Sequence, residues 1–252
     1  MNVEHNSPAV GEARTPGPFL GWRVWKWAPA PALVSKNLVL DVIERLVVLV
    51  LFLYFANRML PQLARLITIE IAYPELFWLA ALKNLDATLL VISESLGVFL
   101  ILMRRSATSV STHPLDWALS LIAVNAPLLA APAAANTLVP SQIATALMFA
   151  GMITQISAKA ALWRSYGLIP ANRGVKTKGP YRFLRHPMYA GYTLTHIGFL
   201  IGFPSLHNFL LYLTTFLIEV ARMLREELIL NKDPLYCEYT NHVRYRLLPG
   251  IF

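Results

Sequence analysis

A single cysteine, Cys237, stands among 252 residues, so no disulfide closes within the chain and a thiolate zinc cage is excluded. The six histidines, at positions 5, 113, 186, 196, 207 and 242, are scattered without an H-E-x-x-H pair, and no metal site is expected. Charge is the next scarcity. Asp, Glu, Lys and Arg make up 14% of the chain, against roughly 25% in an ordinary soluble domain. So few charges cannot cover a soluble protein of this size, which excludes a water-soluble globular enzyme, a disordered chain and a nucleic-acid module. What is abundant is apolar: hydrophobic residues reach 56% and the mean hydropathy is +0.50.

The net charge of +8 is uneven in a way that suits a membrane. Arg173, Lys176, Lys178, Arg182 and Arg185 lie between two apolar stretches, and Arg104 and Arg105 end another, as the positive-inside rule distributes cations. No nucleic-acid partner is expected. The N-terminus has no basic segment followed by an apolar core, so no cleaved signal peptide is expected. Residues 1–37 read as a loose tail leading into a surface segment at 20–36, where Trp22, Trp25 and Trp27 alternate with Arg23 and Lys26 at the headgroup level.

A spanning helix needs roughly 20 mostly apolar residues. Stretches 38–57, 85–103, 115–135, 141–163, 187–203 and 206–224 approach that pattern. The expected fold is therefore all-α: a polytopic transmembrane bundle of about six spans, with 38–163 carrying the first four and 164–252 holding the rest with a cytoplasmic C-terminal region. Segment 66–82, broken by Glu70, Pro74 and Glu75, reads as interfacial or re-entrant. An even number of spans puts both termini on one side, and the charge bias makes that side cytoplasmic.

Chemistry concentrates in the last third. The loop from Arg164 to Tyr192 contains Gly167, Pro170, Gly174, Gly179 and Pro180, which prevents continuous helix. Pro187 is expected to open a helix, with His186 just outside it and Tyr189 in its first turn. The start of that helix, next to Arg185 and His186, is suited to an anion or carboxylate. Further on, Glu219, Arg222 and Glu226 recur at i, i+3 and i+7 and share one helical face, with Glu227 beside it. Ionisable groups so near a membrane mark a functional site, an intrahelical ion pair being the bland alternative. Glu94 and Glu219 as intramembrane relay groups leave a transporter open.

Three strings occur in order: RHPMYAGY (Arg185 to Tyr192), an R-x3-E-E run (Arg222 to Glu227) and YRLLPGIF (Tyr245 to Phe252). Together they resemble the isoprenylcysteine carboxyl methyltransferase family and its bacterial relatives over roughly residues 150–252. The resemblance implies an integral membrane enzyme, in a bacterial inner membrane, that uses S-adenosylmethionine. It implies a cofactor pocket formed by Gly179, Pro180, Tyr181, Arg185, His186 and Tyr189, closed over by Tyr236, Tyr239 and Arg246. It puts Arg222, Glu226 and Glu227 near the transferred methyl as the catalytic set, with Arg222 orienting an acceptor carboxylate and Glu227 holding the arginine. Should the acceptor be an amine or hydroxyl, Glu226 or Glu227 becomes the candidate base. The acceptor itself is expected to be a lipid or lipophilic small molecule that enters from the bilayer. Membrane sterol reductases carry a string similar to RHP-x-Y-x-G, which leaves an NADPH reductase as the competing reading, with Lys176, Lys178, Arg182 and Arg185 as its phosphate ligands.

Overall fold

Seven α-helices and one pair of two-residue strands account for nearly all regular structure in the computed structural model, which describes residues 34–72, 85–131 and 138–251. They are α1 (Val34–Ala72), α2 (Leu85–Met103), α3 (Pro114–Asn125), α4 (Ser141–Leu162), α5 (Pro187–Gly202), α6 (Leu206–Leu230) and α7 (Pro234–His242). Strand β1 (Ser109–Val110) pairs antiparallel with β2 (Ala171–Asn172), Ser109 opposite Asn172. Proline opens α3, α5 and α7, where its missing N–H costs nothing and its fixed φ suits the first turn. Ser205 and Asp233 cap α6 and α7 by accepting from Asn208 N and Leu235 N.

The tightest packing is α4 against α5. A Cβ on Gly191 would lie 2.7 Å from Gln155 N and from Gly151 O, and one on Gly198 would lie 2.7 Å from Met148 N. Glycine is thus required at the crossing, because backbone touches backbone. Small residues that let helices approach closely are how association is driven where lipid removes the hydrophobic incentive.

The distribution of polarity is inverted relative to a soluble protein. Asp41, Glu44, Ser93, Arg104, Gln155, Lys159, Asn208 and Glu219 are buried, while Val50, Leu53, Ile153, Leu210 and Leu217 are exposed. Apolar side chains facing outward and polar ones facing inward suit a lipid surround. Within this interior, Lys159 Nζ donates to Ser93 O at 3.1 Å and Ser93 Oγ at 2.8 Å, and pairs with Glu94 at 3.1 Å.

Among the described residues, one helix, Ser141–Ser165, is long and apolar enough to cross a membrane, and Leu89–Met103 and Pro114–Leu129 are shorter apolar helices. Local features shape the helices in three of the expected stretches. The 115–135 stretch stops being α-helix at Asn125 and tightens into a 3-10 turn at Ala126–Leu129, which contains Pro127. Helix α5 has 16 residues, about 24 Å of rise against a hydrocarbon core of about 30 Å. Helix α6 carries Glu219, Arg222, Arg225, Glu226 and Glu227 within its 25 residues. The first stretch is expected to end at 57, whereas α1 runs unbroken from Val34 to Ala72. The surface segment at 20–33 and the remainder of 66–82 beyond residue 72 lie outside the described residues.

Candidate active site

The loop between α4 and α5 folds back on the C-terminal end of α6 and on α7 because each of its turns has a specific partner. Gly179 adopts φ +62°, open to glycine without strain, and starts a 3-10 turn over Gly179–Arg182 that buries Tyr181. Tyr239 of α7 locks this turn, its hydroxyl donating to Tyr181 O at 2.6 Å and Leu184 O at 3.2 Å. Arg185 N and His186 N then donate to Tyr245 O and Arg246 O, both at 2.9 Å. The C-terminal segment is thereby laid along the entry to α5.

Glu227 organises that junction. Its Oε1 accepts from Arg185 at 3.1 Å, faces His186 Nε2 at 3.2 Å and accepts from Tyr236 at 3.3 Å, while Oε2 accepts from Arg246 Nε at 2.8 Å. Burial alone would push this carboxyl up. The hydrogen bonds from His186 and Arg246, with the charges of His186 and Arg185, outweigh it and hold the group down to about 2. Tyr236 is pushed above its ordinary range by burial and by the neighbouring Glu227.

The first half of the loop is fixed from the other end of the molecule. Glu44 of α1, fully buried, accepts from Leu168 N at 2.7 Å and Ile169 N at 2.9 Å. It also pairs with Arg104 at 2.6 Å and Arg173 at 2.9 Å. Asp41, one turn earlier, pairs with Arg104 at 2.7 Å. A side chain on Gly167 would collide with the Arg173 guanidinium, so glycine at that position lets the arginine lie against the loop.

Between these two anchored halves lies a cleft of about 760 Å³, measured out to its open mouth. Of the residues implicated from the sequence, Tyr181, Arg185, His186, Tyr189, Arg222, Glu226, Tyr236 and Tyr239 line it. Gly179 and Pro180 form the turn that carries Tyr181, and Glu227 and Arg246 pair with each other behind the wall. Arg222, buried, donates from Nη2 to Leu168 O at 2.5 Å and sits 5.6 Å from the Tyr189 ring centroid. Glu226 accepts from the Tyr189 hydroxyl at 3.2 Å. The expectation that Glu227 holds Arg222 is therefore corrected: a loop carbonyl holds Arg222, and Glu227 serves Arg185, His186 and Arg246. The reason is helical geometry, since position 227 lies about 100° round the axis from 226 and faces the C-terminal segment.

Of the cleft wall from Gly167 to Lys176, the sequence offered Arg173 as a candidate cofactor contact and Lys176 as a phosphate ligand, but sequence reasoning passed over the acid beneath it. The signal was present in the crowding of Asp41, Glu44 and Arg45 at the start of an otherwise apolar helix.

Residues 139–233 match the model of the phospholipid methyltransferase family, a stretch that includes the loop, the RHP helix and the R-x3-E-E run. A solved structure of a eukaryotic intramembrane Ras methyltransferase, isoprenylcysteine carboxyl methyltransferase, is similar with 18% identity over 85% of this chain and 93% of that one, at a TM-score of 0.41. No curated protein matches the sequence. The family match falls on two of the three strings.

Proposed function

We propose that this chain is an integral membrane methyltransferase that takes S-adenosylmethionine into the cleft between the α4–α5 loop and α7 and methylates a lipophilic acceptor. The observation that carries the reading is the composition of the cleft. Tyr181, Tyr189, Tyr236 and Tyr239 converge on it with Glu226, Arg173 and Arg222, beside a helix able to cross the bilayer.

These residues fit such a cofactor. Tyrosine rings offer negative faces to a sulfonium cation, and the Glu226 carboxylate adds a counter-charge. Arg173 and Arg222 each retain a buried Nε without a hydrogen-bond partner, and an unmet buried donor is costly. A carboxylate such as that of the methionine end, or of an acceptor, would satisfy them. The cofactor supplies an electrophilic methyl on a positively charged sulfur. The chain's own part is positional. The Glu227 junction fixes the Tyr236 and Arg185 walls, Glu44 fixes the 168–173 wall, and Arg222 stands between loop and helix at the level of Glu226. Holding reacting atoms within about 3–3.5 Å and in line supplies much of the acceleration in such a displacement. The cleft excludes part of the bulk water that would otherwise compete.

The reductase reading loses two of its four phosphate ligands, since Lys176 and Arg185 line the cleft while Lys178 and Arg182 are not among its lining residues. The test is a thermal-shift comparison of the detergent-solubilised protein with S-adenosylmethionine, S-adenosylhomocysteine and NADPH. Stabilisation by the first two supports the proposal. Stabilisation by NADPH alone, or by none, overturns it.

A further inference from the structure

The envelope of the cleft includes its open mouth, and the interior that solvent reaches has a volume of about 70 Å³. That is room for a few waters, not for a nucleoside joined to an amino acid, so a wall has to move before such a molecule enters. Much of the wall is pinned. Glu44 holds Leu168, Ile169 and Arg173, and the Tyr239 hydroxyl holds Tyr181 and Leu184. The strap between these anchors, residues 174–179, is held differently. It begins and ends on a glycine at positive φ, +96° at Gly174 and +62° at Gly179. Among the described residues, Val175, Lys176 and Thr177 make no backbone–backbone hydrogen bond. Val175 and Lys176 nevertheless line the cleft, and Val175 packs across it against Tyr236, Tyr239 and Val243.

We propose that residues 174–179 are a lid over the cleft, and that Asn172 and Asp233 together hold it closed. The inference rests on reading the cleft as a cofactor site and adds how the cofactor is admitted and released. Lid hinges are a few residues that absorb a change in φ and ψ, and glycine takes up such a change without steric cost. Asn172, at the end of β2, sets the first hinge. Its Oδ1 accepts from Gly174 N at 2.9 Å, an Asx turn that fixes the direction in which the strap leaves the strand. Its Nδ2 donates to Asp233 Oδ2 at 2.7 Å, while Asp233 Oδ1 accepts from Leu235 N at 3.0 Å and caps α7. One orientation of the amide serves both partners, because Gly174 N needs its oxygen and the carboxylate needs its NH2 group. Asp233 therefore sets the hinge through Asn172 and ties it to the helix that carries Tyr236 and Tyr239. Breaking this tie frees the strap to lift Val175 from its contact, widening the cleft while the anchored walls stay in place.

The test is a swap. In Asn172→Asp two carboxylates face each other, and in Asp233→Asn two amides do, so each single variant loses the tie. In the double variant the new amide donates to the new carboxylate, and Gly174 N and Leu235 N both keep an acceptor. Two measurements use the full chain in phosphatidylcholine nanodiscs. The first, without ligand, is the rate at which a water-soluble maleimide alkylates Val175→Cys in a Cys237→Ser background. The second is the association and dissociation rates of tritiated S-adenosylhomocysteine. Each single variant is expected to be alkylated at least tenfold faster than the parent, and to bind and release the ligand at least fivefold faster, with Kd changing less than either rate. The double variant is expected to return every rate to within twofold. Alkylation indifferent to the single variants, or not restored by the double, overturns the lid. Faster release without faster binding also overturns it, since that marks a lost contact and not a gate. Alkylation that follows the swap in a protein that binds no S-adenosylhomocysteine leaves the lid standing and removes the methyltransferase reading.

Discussion

Replacing Glu227 by glutamine keeps the shape of the side chain and removes its charge at the point where four partners meet. Glutamine retains one acceptor oxygen and turns an NH2 group toward either the Arg246 or the Arg185 guanidinium, so one charge-assisted hydrogen bond becomes a donor–donor contact. Losing one partner of a buried pair typically costs 3–5 kcal/mol, and the partial exposure of Arg246 argues for the lower end. The carboxyl itself gives an independent figure. Its fall from 4.5 to about 2 corresponds to about 3 kcal/mol at 1.36 kcal/mol per unit. With about 2–4 °C per kcal/mol for a chain of this size, the variant should melt roughly 6–12 °C below wild type at neutral pH. The sign with acid follows from the depressed value. Between pH 4.5 and about 2 the unfolded chain binds the proton that the folded one refuses. Stability from this group is thus complete above pH 4.5 and disappears as pH falls toward 2. Thermal unfolding of both proteins in one detergent, at one scan rate, from pH 7 down to pH 2.5 is the assay. The gap between them should be constant above pH 5 and narrow below it. A gap that stays the same at pH 2.5, or is absent at pH 7, refutes the view that Glu227 is an ionised hub.

Glu44→Gln should leave the helices in place but loosen residues 168–173, weakening S-adenosylhomocysteine binding by about tenfold in calorimetry, since charged hydrogen bonds are worth about 1.5–3 kcal/mol each; unaltered affinity would contradict the anchoring role. Arg222→Ala should lower turnover by at least a hundredfold in a radiolabelled methyl-transfer assay while S-adenosylhomocysteine still binds, and retained turnover would remove Arg222 from the reaction. Gly191→Val forces a Cβ into Gln155 N and Gly151 O and should destabilise the α4–α5 pair by about 1–3 kcal/mol or more, read as a lower melting temperature; a melting temperature equal to wild type would refute the close backbone contact.

The site was readable in the sequence where covalent geometry dictates local form. Pro187 after His186 fixes the start of α5, and the loop glycines and prolines rule out helix between 166 and 178. The R-x3-E-E run was recognisable as a string, but not how its two glutamates divide. Adjacent residues on a helix point about 100° apart, and only the position of the C-terminal segment decides which one becomes buried. Glu44 could not be paired with the loop from sequence, since its loop partners lie 124 and more residues away. Helix ends were not legible from hydropathy, which registers composition: the α-helix in the 115–135 stretch stops at Asn125, before Pro127, and α5 ends at Gly202.

The grip of Glu44 on Leu168, Ile169 and Arg173 bears on how such proteins can be recombined. The last hundred residues are not a transplantable cassette, because an acid from the first described helix forms the floor under their binding loop. A hybrid that joined this C-terminal portion to a foreign bundle would need a carboxylate at the corresponding height, with an arginine beside it. Without both, the loop's inward-facing amides and Arg173 would be stranded in a dry interior. Divergence for new acceptors is thereby steered toward surfaces that leave this junction untouched.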